Sequence, residues 1–381
     1  MKNRKLLMIP GPSPVARSIQ DQMGRETIAF GDPAFVRDFK ELLSDLKSLW
    51  RTGGEVFVVA GSGTLAMEMG IANTVQRGDS VLVVSHGYFG DRFVELCERK
   101  GIKVDVLRSE WGKIVPLKEI RDALGKKKYR AVTVTHVDTS TGVSAPVAEI
   151  GSLMKDFKET LYIVDGVCAT AAEPEYIDES GIDLLLTGSQ KAFGVAPGLA
   201  IVWAGPRAME RRRKLGTIPE YYADFEKWLP IMHEPAKYFA TPAVNLVWAL
   251  KESVRIIKEE GLDARHERHT KIGRAVQAGL EALGFRILAD PAHRASTLSA
   301  VLYPEGINDA EFRQTLAEEG VQVAGGLGRY AGKMFRLGHM GNADVHDFVA
   351  VLAAIERTLA RCGKRVEWGS GVGAFLKAIA R

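Results

Sequence analysis

From about residue 55 to 205, short apolar runs alternate with helical patterns, and this alternation restricts the fold more than any other feature of the chain. Val56-Phe57-Val58-Val59-Ala60 opens the series. Val81 to Val84, Lys103 to Leu107, Ala131 to Thr135, the run ending at Asp165, the run ending at Thr187 and Leu199 to Trp203 continue it. Most of these runs are continuous rather than alternating, so both faces are buried, and helical crossovers between them imply parallel pairing. The expected fold class is α/β, with a large domain built on a mostly parallel, seven-stranded type of sheet covered by helices. Beyond Thr241-Pro242, where a helical stretch begins, shorter strands and helices predict a smaller α+β C-terminal domain. The expected division is 15–260 for the large domain and 261–381 for the small one. Segment 1–14 is expected to pack near the active site or the small domain, and the tail 366–381 to form a short surface helix.

The 381 residues exceed the usual size of a single core, which agrees with two domains. A net charge of +4 is small for this length and points away from nucleic acid. Lys126-Lys127-Lys128 and Arg211-Arg212-Arg213-Lys214 read as solvated faces. No apolar run is long enough for a membrane span. Cys97, Cys168 and Cys362 form no Cys-x-x-Cys pair, which fits a reducing compartment; Cys97 and Cys168 read as packing residues. Neither terminus resembles a targeting signal, so the cytoplasm is expected.

The ends of the strands carry the chemistry. Ala60-Gly61-Ser62-Gly63-Thr64 is a strand followed by small residues and a helix start, an arrangement that offers backbone N–H groups to an anion. It also fits the dinucleotide pattern Gly-x-Gly-x-x-Ala. The acid which that pattern wants at the next strand end is absent, since Val81 to Val84 leads into Ser85-His86. Phe89, with Tyr88 as the alternative, can stack on a flat heterocycle, whereas His86 reads as structural. Thr139 lies in a hydroxyl-rich loop after the Ala131 run, and His136 and Asp138 make no convincing metal site. Asp165 ends one strand and Lys191 follows another, in Thr187-Gly188-Ser189-Gln190-Lys191-Ala192. A lysine amine beside an aldehyde cofactor forms an imine, and an aspartate on a pyridine nitrogen makes the ring an electron sink. The pair suggests pyridoxal 5'-phosphate (PLP).

In this order, Gly61-Ser62-Gly63-Thr64, Val164-Asp165-Gly166-Val167, the Lys191 segment and Gly325-Gly326-Leu327-Gly328 resemble the class V aminotransferases, PLP enzymes of fold type I. The alanine–glyoxylate / serine–pyruvate branch is the most similar, from Pro10-Gly11-Pro12 to about residue 360. The resemblance implies that Lys191 holds the cofactor covalently and that Asp165 pairs with its ring nitrogen. Phe89 would be the stacking ring, where the mammalian branch has tryptophan. Ser62, Gly63, Thr64 and Gln190 would line the phosphate, and Thr139 would lie close to the cofactor ring. Tyr238 and Thr241 would reach a phosphate across a homodimer interface, and Arg336 would clamp the substrate carboxylate. No metal is implied. The implied reaction is transamination between a small amino acid, alanine or serine, and glyoxylate or pyruvate.

Three alternatives stand beside it. One is 2-aminoethylphosphonate–pyruvate transamination, since Arg336 suits a phosphonate too. Cysteine desulfurase is another, weakened because residues 290–350 hold no cysteine. The last is a non-catalytic scaffold of the same fold. Thr27, Phe30, Tyr330 and His339 are further candidates for the pocket wall.

Overall fold

The computed structural model describes residues 5–380; residues 1–4 of the basic N-terminus and residue 381 of the tail lie outside the described residues. Seven strands form the central sheet, side by side in the order Glu55–Ala60, Leu199–Ala204, Leu184–Gly188, Leu161–Asp165, Ala131–Thr135, Ser80–Ser85, Lys103–Arg108. The three strands Leu161–Asp165, Leu184–Gly188 and Leu199–Ala204 are buried along their whole length, as their unbroken apolar runs require.

Leu199–Ala204 runs antiparallel to both neighbours, while the other neighbouring pairs are parallel. The cause is local. Residues 189–198 contain no helix to carry the chain back across the sheet, so it turns and returns directly. That turn carries Lys191 and sits at the carboxyl edge of the parallel strands. From Ser80–Ser85 the chain moves outward to Lys103–Arg108, then returns to Ala131–Thr135 on the other side of Ser80–Ser85. Such a reversal opens a crevice beyond the strand ends, where open parallel sheets bind ligands.

The C-terminal elements form a four-stranded antiparallel sheet in the order Arg286–Ile287, Leu298–Leu302, Met334–Gly338, Ala324–Gly325. Helices Leu262–Ala282, Asp309–Glu318 and Val345–Arg361 join it in a second apolar cluster that includes Val276, Phe312, Phe335 and Phe348. Ala295, Leu298 and Met340 instead pack into the first cluster, so the second sheet is seated against the first core.

Three expectations need correction. The helix after Thr241-Pro242 spans Val244–Glu260 and leaves Thr241 in the preceding loop. The tail helix, Ser370–Ile379, is docked rather than superficial: Phe375 is fully buried, and the Glu356 carboxylate accepts the N–H groups of Gly369 (2.8 Å) and Gly371 (3.0 Å) at its start. The basic run 211–214 is not wholly solvated. Arg212 is 2% exposed and donates through Nε (2.8 Å) and Nη2 (2.7 Å) to the two carboxylate oxygens of Asp224. Arg212→Ala leaves that carboxylate buried and unpaired. It is expected to cost about 3–5 kcal/mol, readable as a lower midpoint in urea unfolding.

The N-terminal segment reaches both parts of the molecule. Leu6–Leu7 pairs in parallel with Val321–Gln322, and Gly338 N–H donates to the Met8 carbonyl (2.8 Å). Pro10 and Gly11 then meet Lys191. No helix among the described residues is long and apolar enough to cross a membrane.

Candidate active site

Eight residues singled out in the sequence line one cavity at the carboxyl edge of the sheet. They are Ser62, Gly63, Thr64, Phe89, Thr139, Asp165, Gln190 and Lys191, joined by Met67, Arg92, Val137, Val167 and Cys168. The space among them amounts to about 510 Å³, part of it open to solvent. Helix Gly63–Thr74 begins at its wall, so the first N–H groups of that helix have no partner within it. Gly63 is needed there, since a Cβ on it would come within 2.6 Å of the Val167 side chain.

Asp165 is the last residue of its strand and is buried. Its carboxylate accepts the Val167 N–H (2.9 Å) and the Thr135 hydroxyl (3.2 Å). Burial pushes the carboxyl up to about 6; the nearby Asp138 and Glu175 add to the push and the two donors oppose it. No salt-bridging cation accompanies it among the described residues. Behind it lies a second buried set. Burial works against a charged His136, yet Glu175, 2.7 Å from Nδ1, holds the imidazole above its ordinary pKa. The His136 N–H donates to the Asp165 carbonyl (2.9 Å).

The Lys191 turn is fixed from several directions. Gly194 N–H donates to the Lys191 carbonyl (2.8 Å), and the Ser13 hydroxyl donates to the same oxygen (2.5 Å). The buried Arg265 donates to the carbonyls of Ala192 (2.8 Å) and Ala171 (3.0 Å). The Lys191 amine itself donates to the Pro10 carbonyl. Gly11 has φ +118, and a Cβ on it would collide with the Lys191 side chain.

Arg336 stands beside this cavity without lining it. Its Nε donates to the Gly325 carbonyl (2.8 Å) and Nη1 to the Thr139 carbonyl (3.4 Å), so the guanidinium bridges the second sheet and the Thr139 loop. Tyr238 and Thr241 do not line the cavity; Tyr238 is 66% exposed, its ring 5.4 Å from that of Phe30. Tyr88 is also exposed, so of the two aromatic candidates Phe89 is the one that faces the site. His86 is buried, and burial pulls its pKa to about 4. Among the further candidates, Thr27 bonds Asn245, His339 lies between Ser299 and Ser296, and Tyr330 stacks on Trp111. Cys168, read as packing, is buried as expected but also faces the cavity.

Sequence reasoning missed Asp138, Arg92 and Arg265. Asp138 is buried and accepts N–H groups from Phe89 (2.9 Å), Gly90 (3.1 Å) and Ser140 (2.9 Å), fixing the start of the helix that carries Phe89. The Asp-x-Ser spacing, typical of a turn in which the aspartate accepts from the backbone two residues on, is the signal that was present for it. Among the described residues no group of His, Cys, Asp and Glu side chains could hold a metal.

Chemically, the cavity joins a nucleophilic amine, a buried acid without a counter-cation, an aromatic wall and an anion cradle. This donor set fits PLP: the amine would take its aldehyde, Asp165 its ring nitrogen and the cradle its phosphate.

Comparison with known proteins agrees. The family model "Aminotransferase class-V" matches residues 50–339. An uncharacterised aminotransferase of Methanocaldococcus jannaschii is 36% identical over 96% of this chain and 95% of its own. A serine–glyoxylate aminotransferase of Hyphomicrobium methylovorum is 34% identical over 97% and 93%. The crystal structure of an alanine–glyoxylate aminotransferase from Nostoc sp. superimposes with a TM-score of 0.90 at 34% identity, covering 94% of this chain and 96% of that one. With its sheet order, its cavity and these relatives together, the chain belongs to the class-V aminotransferases, enzymes of fold type I.

Proposed function

We propose that this enzyme uses PLP to move an amino group between a small amino acid, alanine or serine, and glyoxylate or pyruvate. The observation that carries the reading is the meeting of Lys191, Asp165, Phe89 and the Ser62–Thr64 cradle around one cavity. When bound, PLP supplies an electrophilic aldehyde and a conjugated ring that accepts the electron pair left at the substrate Cα.

The protein's own residues do the rest. Lys191 would hold the aldehyde carbon of the cofactor, and its amine, when free, would take the proton from the substrate Cα. Asp165, oriented by the Val167 N–H and the Thr135 hydroxyl, would pair with the ring nitrogen and keep it protonated. Phe89 would cover one face of the ring. Arg336, already anchored through Nε, offers its remaining N–H groups to the substrate carboxylate. Two parallel donors match a planar carboxylate, a geometry that lysine lacks. Arg336→Lys is therefore expected to raise the KM for the amino donor about tenfold to a hundredfold in steady-state kinetics, with the visible band of the bound cofactor unchanged.

The same reading makes the enzyme a cytoplasmic homodimer, in which Tyr238 and Thr241 of each copy complete the other's phosphate site. It divides the chain into a large unit, 15–260, and a small unit, 261–381. The test has two parts. Added PLP should give a visible band that borohydride removes; a colourless protein that cannot be loaded overturns the reading in favour of a scaffold. Alanine, serine, aspartate and 2-aminoethylphosphonate are then assayed as donors, each against glyoxylate and pyruvate. Fastest turnover with alanine or serine supports the assignment, and a clear preference for the phosphonate replaces it.

A further inference from the structure

We propose that Arg92 is the positive charge of the anion cradle and a positioning residue for Phe89. This rests on the PLP reading and goes beyond the phosphate ligands given above, all of which are neutral. Ser62, Gly63, Thr64 and Gln190 offer hydroxyl, amide and backbone donors, and the helix start adds about half a charge. A phosphate monoester carries about −1.5 to −2 charges near neutral pH. Neutral donors and a partial dipole leave much of that charge uncompensated in a partly enclosed cavity.

Arg92 lines the same cavity. Its Nη1 donates to the Thr64 hydroxyl (3.1 Å), and its guanidinium carbon lies 4.8 Å from the centroid of the Phe89 ring. Both contacts follow from position. Helix Tyr88–Arg99 places residues three apart on one face, so an arginine three positions after Phe89 comes over that ring. Its neighbour Asp91 is turned to Arg108 (2.9 Å), and no carboxylate is within ion-pair distance of Arg92 among the described residues. Thr64 is the one hydrogen-bond acceptor it has there, which leaves the other N–H groups of the guanidinium for an anion. One side chain thus joins the ring wall to the phosphate end of the site.

The test compares PLP with pyridoxal, which lacks the phosphate, on protein stripped of cofactor, with binding read by absorbance. Arg92→Gln should weaken PLP by about tenfold to a hundredfold and pyridoxal by less than about threefold. Equal weakening of both ligands would reduce Arg92 to a packing residue, and an unchanged PLP affinity would remove it from the site; either overturns the proposal. Arg92→Lys is a second, independent check that keeps the charge. It should retain most of the preference for PLP over pyridoxal, and a loss as large as that of a neutral variant refutes the charge role. A parent protein that binds neither ligand would instead overturn the PLP reading itself.

Discussion

Lys191→Ala is expected to lower kcat by about 10⁴-fold or more and to abolish the borohydride-sensitive visible band. On the proposed function two roles disappear together, because the same amine would hold the cofactor and move the Cα proton. Little of the surrounding structure should change. The turn is fixed by its own backbone, by Ser13 and by Arg265, none of which uses the amine. The control is therefore an unchanged unfolding transition in the cofactor-free protein. Activity equal to that of the parent would remove Lys191 from the mechanism. An exogenous small amine that restores part of the rate would confirm that the missing group is a base.

Asp165→Asn is expected to lower kcat by about a hundredfold to a thousandfold, since an amide cannot keep the ring nitrogen protonated. The stability of the cofactor-free protein should move the other way. Burial raises the Asp165 carboxyl to about 6, above its value in an unfolded chain. The protonated form is then favoured by folding, and the cost of ionising it appears as pH rises from about 4 to about 6 and is complete above that. Asparagine removes this cost. At about pH 8 the cofactor-free variant should melt at a higher temperature than the parent, and the difference should vanish below about pH 4. A variant that is less stable at every pH would show that the carboxylate is well compensated in the empty protein. A group that lowers stability while sustaining activity is expected at a site built for a cationic ring.

The parts of the site that were legible in the sequence are those that end a strand. Asp165 and Lys191 stand out because an apolar run stops just before or beside them, and the parallel alternation brings such stops to one edge of the sheet. Ser62 to Thr64 and Phe89 were legible for the same reason. The residues that escaped notice act across distances that no local pattern encodes. Asp138 accepts from Phe89, 49 positions earlier, and Arg265 holds Ala192, 73 positions earlier. Arg212 looked like part of a solvated basic run because its partner, Asp224, reaches it only when the loop after Lys214 folds back. The tail helix was underestimated because the groove that takes Phe375 is made by helices Leu262–Ala282 and Val345–Arg361, far away in the sequence. The antiparallel course of Leu199–Ala204 follows from the missing helix between residues 189 and 198.

The strap formed by residues 6–11 has a mechanical consequence. Met8 is tied to Gln322 of the separate strand Val321–Gln322 and to Gly338 of the second sheet, and the carbonyl of Pro10, two positions on, accepts from the lysine amine. Two extended residues reach about 7 Å. Gly338 and the Lys191 amine are therefore joined through a tether two residues long, and a displacement that takes Gly338 beyond that reach has to break either its bond to Met8 or the bond between Pro10 and Lys191.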